Sequence, residues 1–342
     1  MLSDTGALLA EMTERFLAEQ VDDRVMRAAR AGTWPQRAWD AACAQGLPLA
    51  LVQGEQGFDI PLDEGLALIR MLGRHAVPLP LAETMIANAL LARAGLGTAE
   101  GPVALVPQCT DVLFQRQDGV WRATGDAKRI AWGRNASALL LEHDGRIGLA
   151  TSGFSAVEHG TNLALMPRDQ MRIDSSVTLA LLPSITLIEA GAVIRTLAMA
   201  GALETLVALT IAHVSERVQF GRTLSAFQTV QHALAQLASE AASASAAADL
   251  AADAFTNASA HPNVAIAAAR SRIAEAAGTA IKIAHQLHGA IGFTAEHRLH
   301  WFTTALWSWR DEFGSAAWWT RRLGVQALGY SKAAYWPFIT SV

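Results

Sequence analysis

The hydrophobic periodicity of this chain changes twice along its length, and this change constrains the fold more than any other feature. A helix with one buried face repeats apolar residues every three or four positions, whereas a half-buried strand alternates them. Helical spacing holds to about residue 95, short strand-like runs continue to about residue 180, and helical spacing then returns. The sequence therefore predicts an α+β protein, mainly α, with domains at residues 1–98, 99–184 and 185–342.

The first segment is predicted to form an N-terminal helical domain. Asp4 or Thr5 can cap its first helix, because their side-chain oxygens accept hydrogen bonds from free backbone N–H groups. The apolar residues of that helix at helical spacing are Leu8, Leu9, Met12, Phe16 and Leu17. A later helix opens at Asp63 and is expected to end at Gly73, since glycine commonly follows the last helical turn.

The second segment is predicted to be a small central β domain. Its short apolar runs begin near residues 103, 111, 119, 138 and 146. Asp118-Gly119 and Asp144-Gly145 each separate two of these runs. Asp-Gly is typical of two-residue hairpin turns, because both positions need a positive φ.

The third segment is predicted to be an antiparallel four-helix bundle. One helix is expected to run to Gly221, and Ser225 with Gln228 fits a capping box at the start of the next. That Ala-rich helix runs to about residue 257, and a further helix runs from the turn at Pro262 to His288. Alanine favours helix and permits close helix packing, so these segments suit a bundle.

Composition argues against several classes of protein. The formal net charge of −4 argues against nucleic-acid binding. Cys43 and Cys109 are too few for a disulfide framework or a cysteine-built metal site, and no metal site is predicted. No uncharged apolar stretch reaches the ~18 residues of a membrane span, and the first residues do not resemble a signal peptide. We expect a cytoplasmic oligomer whose excess apolar surface is buried between subunits.

A first motif carries candidate binding chemistry. It runs from Arg217 through Phe220 to Gly221 and is followed by Phe227-Gln228. Arg217 and Phe220 are three residues apart and are expected on one face of the last helical turn. A guanidinium beside an aromatic ring can clamp a pyrophosphate and cover a flat ring. An ordinary helix end with surface ion pairs fits the same residues.

A second motif runs from Gln286 through Gly289 and Ala290 to Gly292. Glycine at a helix end lets backbone N–H groups approach a ligand closely, although it is also a common stop signal. His288, inside the motif, is expected to be a packed histidine at the helix end.

In this order and at this spacing within a helical bundle, the two motifs resemble the acyl-CoA dehydrogenase family. The family pattern is Arg-x-x-Phe-Gly, then Phe-Gln, then Gln-x-x-Gly-x-x-Gly-Phe. The resemblance implies non-covalent FAD at a subunit interface. It implies that Arg217 and Phe220 hold the pyrophosphate and adenine end of one FAD, and that Phe227 and Gln228 line the same region.

The resemblance also implies an oligomer, either a dimer or a tetramer, homomeric or heteromeric. The segment with Gln286, Gly289 and Ala290 would touch the FAD that the neighbouring subunit holds. Ala290 stands where the family often has a second glycine, so the backbone there is less free to approach a ligand. Implied partners are an acyl-CoA substrate and electron-transfer flavoprotein or a similar electron acceptor.

The family reaction removes two hydrogens across Cα–Cβ of an acyl-CoA thioester. A carboxylate takes the α proton while flavin N5 accepts the β hydride. The family glutamate aligns with Phe313 when counted without gaps, so Glu312 is our candidate base, one residue earlier. Asp311 and Glu189 are alternative bases. A further alternative is that the chain has no competent base.

The β segment departs from the family pattern, because it lacks the Gly-Ser-Asp loop and the Trp-Ile-Thr strand that cover the flavin. Trp132 either substitutes as a ring-stacking group or is a core residue. The chain is also short, like the diverged subunits of heteromeric acyl-CoA dehydrogenases that degrade steroid side chains. The resemblance therefore implies either an active dehydrogenase or a cofactor-sharing subunit without complete catalytic machinery. No sequence feature indicates a flavin oxidase or monooxygenase of the same fold.

Overall fold

The structure is a computed structural model that describes residues 3–54, 57–58, 60–108, 111–117, 119–182, 185–256 and 261–340. The chain divides into two compact units, Met1–Leu68 with Val77–Ile194, and Ile69–Ala76 with Arg195–Val342. The predicted boundaries after residues 98 and 184 stay predictions. Cys109 and Asp118, which the sequence analysis used, lie outside the described residues.

The described residues are mainly helical, with strands confined to the middle of the chain and one short hairpin, which confirms the predicted fold class. The helices are α1 (Asp4–Gln20), α2 (Asp23–Arg30), α3 (Gln36–Ala44), α4 (Leu62–Arg74), α5 (Leu81–Arg93), α6 (Leu187–Glu216), α7 (Gln228–Phe255), α8 (Pro262–His288), α9 (Leu299–Asp311), α10 (Ala316–Leu328) and α11 (Lys332–Ile339). The strands are β1 (Val103–Val106), β2 (Val112–Gln117), β3 (Val120–Ala131), β4 (Ala138–His143), β5 (Arg146–Ala150), β6 (Phe154–Glu158), β7 (Arg168–Val177), β8 (Ala180–Leu181), β9 (Val218–Gln219) and β10 (Arg222–Thr223).

The cap of α1 differs from its prediction. Ser3, rather than Asp4 or Thr5, is the N-cap, and its hydroxyl accepts a hydrogen bond from the backbone N–H of Gly6 at 3.0 Å. The Ser3 hydroxyl also donates to Glu64, at 2.7 Å. A carboxylate from elsewhere in the unit therefore fixes the cap, which the local sequence does not reveal. Leu8 was placed on the wrong face, because it is 57% exposed.

Helices α4 and α6 cross at close range where both belong to the second unit. A Cβ on Gly73 would lie 2.1 Å from the carbonyl oxygen of Ala198, and one on Gly201 would lie 1.9 Å from that of Arg70. The prediction that Gly73 ends its helix is wrong, since α4 continues to Arg74. The glycines instead permit the two backbones to touch.

The β strands form two four-stranded sheets within the first unit. Their orders are β1-β4-β5-β8 and β2-β3-β7-β6, with β1 and β4 parallel and every other adjacent pair antiparallel. One hydrophobic core, which includes Leu139, Leu141 and Ile173, takes residues from both sheets. Both predicted hairpins form, and Asp144 (φ 45°) and Gly145 (φ 69°) make the two-residue turn between β4 and β5.

The Ala-rich helices α7 and α8 form an antiparallel pair, as predicted. Arg272 of α8 pairs with Glu240 of α7 and donates to the hydroxyl of Ser243 at 2.7 Å. The predicted capping box of α7 is wrong. The helix begins at Gln228 with no side-chain cap, and the Ser225 hydroxyl instead contacts that of Thr223, at 2.9 Å.

Among the described residues, only α6 is long and apolar enough to span a membrane, judged by length and composition. Inside the protein, however, 56% of its apolar window is buried. The helix also carries Glu204, which pairs with Arg70 and Arg74. These properties fit a core helix.

Candidate functional site

The first motif forms a tight β-hairpin after α6. Strands β9 and β10 pair with Gln219 opposite Arg222, and Phe220-Gly221 make the turn with φ of 51° and 77°. The expectation that Arg217 and Phe220 share the last helical turn is wrong, since α6 ends at Glu216. Positive φ at both turn positions suits glycine at the second, and the strained Phe220 is held at the tip.

The hairpin presents an aromatic and cationic surface. Phe220 is 92% exposed, and its ring lies 6.4 Å from that of Phe227. The guanidinium of Arg222 stacks over the Phe227 ring at 4.0 Å. Arg217 is exposed, and no carboxylate in the described part of the chain pairs with it. A phenyl ring and a guanidinium left open in this way are suited to a ligand or to a partner chain.

The second motif forms the end of α8. Gln286 is exposed and lines a cleft of about 370 Å³ between α7 and α8, together with Gln236 and Lys282. Gly289 has φ 64°, and a Cβ added there would meet no atom within 4 Å, so its backbone is open to a ligand. Ala290, the next residue, is also exposed.

Gly292 has a different purpose from the one the motif suggested. It is buried, and a Cβ there would lie 2.9 Å from Cβ of His288. This glycine therefore permits close packing inside the unit, whereas only Gly289 offers an open backbone.

The candidate flavin-binding residues thus form two groups. Phe220, at the tip of the hairpin, and Phe227, directly before α7, have neighbouring rings, with Arg217 and Gln228 close in sequence. Gln286, Gly289 and Ala290 lie close in sequence at the end of α8. All of these residues are exposed except the half-buried Phe227, as a site completed by a second subunit would require. The residues present therefore fit FAD held at a subunit interface.

The candidate base, Glu312, is buried at the end of α9. Its carboxylate Oε2 accepts a hydrogen bond from Nε of Arg195 at 2.6 Å, and the two side chains are 3% and 5% exposed. The Arg195 guanidinium also lies 5.9 Å from the Trp309 ring centroid and 5.6 Å from that of Phe313. The carboxylate charge is therefore compensated within the fold, and proton removal by Glu312 requires the ion pair to open.

A second buried arginine holds the backbone around Glu312. Arg270 is 1% exposed, and its Nη2 lies within hydrogen-bond distance of four carbonyl oxygens at the end of α9, among which its two N–H groups are shared. The acceptors are those of Trp309 (3.0 Å), Arg310 (3.0 Å), Glu312 (2.9 Å) and Gly314 (3.3 Å). Burial lowers the pKa of Arg270 to about 10, so the group stays charged at neutral pH.

The alternative base Glu189 closes a capping box at the start of α6. Its Oε2 accepts from the N–H and hydroxyl of Thr186 at 3.0 and 2.9 Å, and its own N–H lies 3.3 Å from the Thr186 hydroxyl. The other alternative, Asp311, is exposed and lies 3.8 Å from Arg310. Both carboxylates therefore have structural contacts at helix ends.

A buried carboxylate that sequence reasoning missed lies beside Glu189. Glu142, on β4, accepts hydrogen bonds from the N–H groups of Leu187 at 3.0 Å and Gln108 at 3.3 Å. Burial raises its pKa, the nearby charge of Glu189 raises it further, and the two N–H bonds oppose the shift. Its contact with Leu187 satisfies a free N–H at the start of α6.

Comparison with known proteins shows similarity to acyl-CoA dehydrogenases. A sequence model described as acyl-CoA dehydrogenase, C-terminal domain, matches residues 185–309. A protein named acyl-CoA dehydrogenase IpdE2, from Mycobacterium tuberculosis, is 28% identical over 298 residues, which cover 86% of this chain and 88% of that protein. Residues 185–309 therefore match an acyl-CoA dehydrogenase C-terminal domain, and the similarity to IpdE2 extends over most of the chain.

Solved structures share the fold of this chain. A structure described as the Tcur3481-Tcur3483 steroid ACAD matches with a TM-score of 0.82 and 19% identity, covering 93% of this chain and 96% of that one. The ChsE4-ChsE5 complex from Mycobacterium tuberculosis matches with a TM-score of 0.79 and 17% identity, covering 97% and 99%.

Trp132 is a core residue. It is 7% exposed, follows β3 with φ 62°, and lies edge-on to Trp34 with ring centroids 6.4 Å apart. Sequence reasoning also missed Arg195 and Arg270. Only Arg195 had a signal in the sequence, because it is a lone charge within an apolar helical stretch, whereas Arg270 has Arg272 two residues away.

Proposed function

We propose that this acyl-CoA dehydrogenase family member works as an FAD-binding subunit in the α,β-dehydrogenation of an acyl-CoA thioester. The observation that carries the proposal is the open surface of the first motif: Phe220 is 92% exposed, and the exposed Arg217 has no carboxylate partner among the described residues. An exposed phenyl ring at a left-handed turn position is costly unless a ligand or subunit covers it. FAD at a subunit interface would supply that cover.

Each group of residues has a separate task in this proposal. Arg217 donates to the anionic pyrophosphate oxygens, which a guanidinium fork matches in charge and geometry. Phe220 and Phe227 cover the adenine end, and Gln228 lines the same region. Gln286, with the open backbone at Gly289 and the exposed Ala290, contacts the cofactor held by the neighbouring subunit. FAD, when bound, supplies the acceptor for the hydride that leaves Cβ of the substrate.

The substrate's α proton needs a carboxylate base. In the self-sufficient form of the proposal, Glu312 takes this proton after its ion pair with Arg195 opens. Arg195 would then remain beside the substrate, where its positive charge can stabilise the enolate oxygen. Arg270 positions Glu312 by donating a hydrogen bond to the backbone carbonyl oxygen of Glu312.

A second candidate function is that of a cofactor-sharing subunit whose partner chain supplies the base. The buried Arg195–Glu312 ion pair favours it, because that carboxylate is engaged in the isolated chain. Two of the similar structures also bear the names of two-component proteins, and one is described as a steroid enzyme. A bulky, steroid-derived acyl-CoA is accordingly the substrate class we propose first, with electron-transfer flavoprotein as acceptor and the cytoplasm as compartment.

The first experiment is an absorbance spectrum of the purified chain, expressed alone, with FAD counted per chain. About one FAD per chain, bleached by an acyl-CoA, supports the self-sufficient enzyme. A protein that stays colourless with added FAD, but gains flavin and activity on co-expression with a second acyl-CoA dehydrogenase chain, supports the shared subunit. A chain that binds no flavin in either setting contradicts both functions.

E312Q then separates the two functions, with E275Q as the control because Glu275 is exposed on α8. The self-sufficient enzyme loses flavin reduction in E312Q while keeping its FAD. The shared subunit keeps activity in the complex. E275Q should leave FAD content and turnover unchanged in both cases.

A further inference from the structure

Three histidines from separate segments of the second unit converge at one point. His213 lies near the end of α6, His288 is the last residue of α8, and His297 precedes α9. One ring nitrogen from each lies within 4.8 Å of the other two. The His288 ring stacks on that of His213 with centroids 4.5 Å apart, and lies 4.8 Å from that of His297.

The hydrogen bonding of His288 determines which of its nitrogens is available. Its Nδ1 lies 2.7 Å from the carbonyl oxygen of Ala284. A carbonyl can only accept, so Nδ1 carries the proton and Nε2 of the neutral ring has the free lone pair. His288 is 5% exposed, and its buried Nε2 has no hydrogen-bond partner among the described residues.

A buried acceptor without a partner is costly and calls for an explanation. Metal-bound histidines show this same arrangement, with one ring N–H donated to a backbone carbonyl and the other nitrogen on the metal. Burial lowers the pKa of all three rings, that of His288 to about 4, which favours the neutral form that binds metals.

The described charged and titratable groups around the cluster do not provide Nε2 of His288 with a hydrogen-bond donor. His285 and His300 are the further histidines near it, and Glu216 and Arg217 lie beside His213 on α6 with opposing effects. No carboxylate in the described part of the chain joins the three rings as a fourth ligand.

We propose that His213, His288 and His297 bind one Zn²⁺ ion, with water at the fourth position. Three imidazoles suit a tetrahedral late first-row ion, whereas Ca²⁺ and Mg²⁺ prefer oxygen ligands. Zn–N bonds of about 2.0–2.1 Å require nitrogens about 3.3 Å apart. The nitrogens lie within 4.8 Å of one another, so binding requires the half-buried His213 and His297 rings to turn toward Nε2 of His288.

The ion would join three segments that lead to the two motifs. His213 is four residues before Arg217, and His288 directly precedes Gly289. Zn²⁺ would therefore fix the start of the hairpin segment against the end of α8. This inference concerns the three histidines alone and holds whether or not the proposed flavin function is correct. It differs from the sequence analysis, which predicted no metal site.

The test uses the full chain after removal of metals with EDTA. Zn²⁺ alone is added, and binding is followed by isothermal titration calorimetry and by zinc content after gel filtration. We expect one zinc per chain and a higher midpoint of thermal unfolding. H213Q and H297Q should each bind at least about tenfold more weakly, since even outer-shell changes cost 10–100-fold in affinity.

H232Q is the matched control, because His232 is exposed on α7 and outside the cluster. It should bind zinc like the parent chain. Co²⁺ in place of Zn²⁺ should give the intense visible absorption of a tetrahedral site. The proposal is overturned if the parent chain retains no zinc, or if folded H213Q and H297Q, checked by circular dichroism, bind it as well as H232Q does.

Discussion

Nε of Arg195 lies 2.6 Å from Oε2 of Glu312, and the fold excludes water from both side chains almost completely. Burying two charges costs more free energy than burying apolar groups, and removal of either partner leaves the other charge buried. Here the ion pair connects the first third of α6 to the residue that follows α9. It also sets the state of the carboxylate on which the proposed chemistry depends.

Removal of Arg195 alone should be strongly destabilising. R195M removes the guanidinium bound to Glu312 and leaves Arg270 as the nearby positive charge. Loss of one partner of a buried pair typically costs about 3–5 kcal/mol in the free energy of unfolding. Urea denaturation followed by circular dichroism measures the change.

The double variant R195M/E312M provides the matched control. It should regain most of the loss, because a buried pair replaced by apolar groups is often neutral. R272M, which breaks the partly exposed pair with Glu240, should cost only about 0–1 kcal/mol. Equal losses in R195M and R272M would contradict the assigned role of burial.

Stability should depend on pH through Glu142. Its pKa in the folded chain is raised above the ordinary 4.5, so the folded state binds the extra proton in the window above pH 4.5. The contribution of this group to stability is thus complete below pH 4.5 and is lost as pH rises through the raised pKa.

E142Q removes this titration while keeping a similar side-chain shape. The free energy of unfolding of the parent chain minus that of E142Q should fall as pH rises from 4.5, then level off. Denaturant melts between pH 4 and 8 measure this difference, with E275Q as the exposed-carboxylate control. A difference that increases over the same window would show that the N–H bonds to Glu142 outweigh its burial.

Alanine at Gly201 should destabilise the helix crossing. The new Cβ would lie 1.9 Å from the carbonyl oxygen of Arg70, so the backbones must separate. We expect G201A to lose about 1–3 kcal/mol, the usual cost of overpacking. G278A is the control, since Gly278 is in the middle of α8 with open space around it. It should gain about 0.4–1 kcal/mol, and thermal melts of the two variants should therefore shift in opposite directions.

Arg217 should affect flavin retention rather than the fold. R217A is expected to weaken the affinity for FAD at least about tenfold, because it removes a charge-assisted hydrogen bond worth about 1.5–3 kcal/mol. The oligomer should therefore retain less FAD. Absorbance of the protein after dialysis measures the retained FAD. R321A removes an exposed arginine of α10 and should retain it fully. Equal FAD content in the two variants would argue against the role assigned to Arg217.

The local pattern was sufficient for much of the fold. The Asp144-Gly145 turn and the limits of α8, from Pro262 to His288, follow from residues whose backbone preferences are strong. Strand β7 was not predicted, although its buried residues alternate from Asp169 to Val177. Polar residues at inward positions, of which Asp169 paired with Arg134 is one, hid the strand's apolar period.

The motifs of the candidate site were readable, but their geometry was not. Sequence spacing placed Arg217 and Phe220 on a helix, whereas pairing of Gln219 with Arg222 makes a hairpin there. A two-residue turn with positive φ at both positions competes with the helix, and the local sequence does not say which wins.

The sequence by itself determined the order of helical and β segments, the glycine turns and the family motifs. These depend on side-chain period and on backbone preference within a few residues. Only the tertiary structure decided that Glu312 forms an ion pair with Arg195 and that the rings of His213, His288 and His297 lie together. These contacts join residues 9 to 117 positions apart, and whether a charge is paired or a lone pair is buried depends on packing between segments rather than on neighbours in the chain.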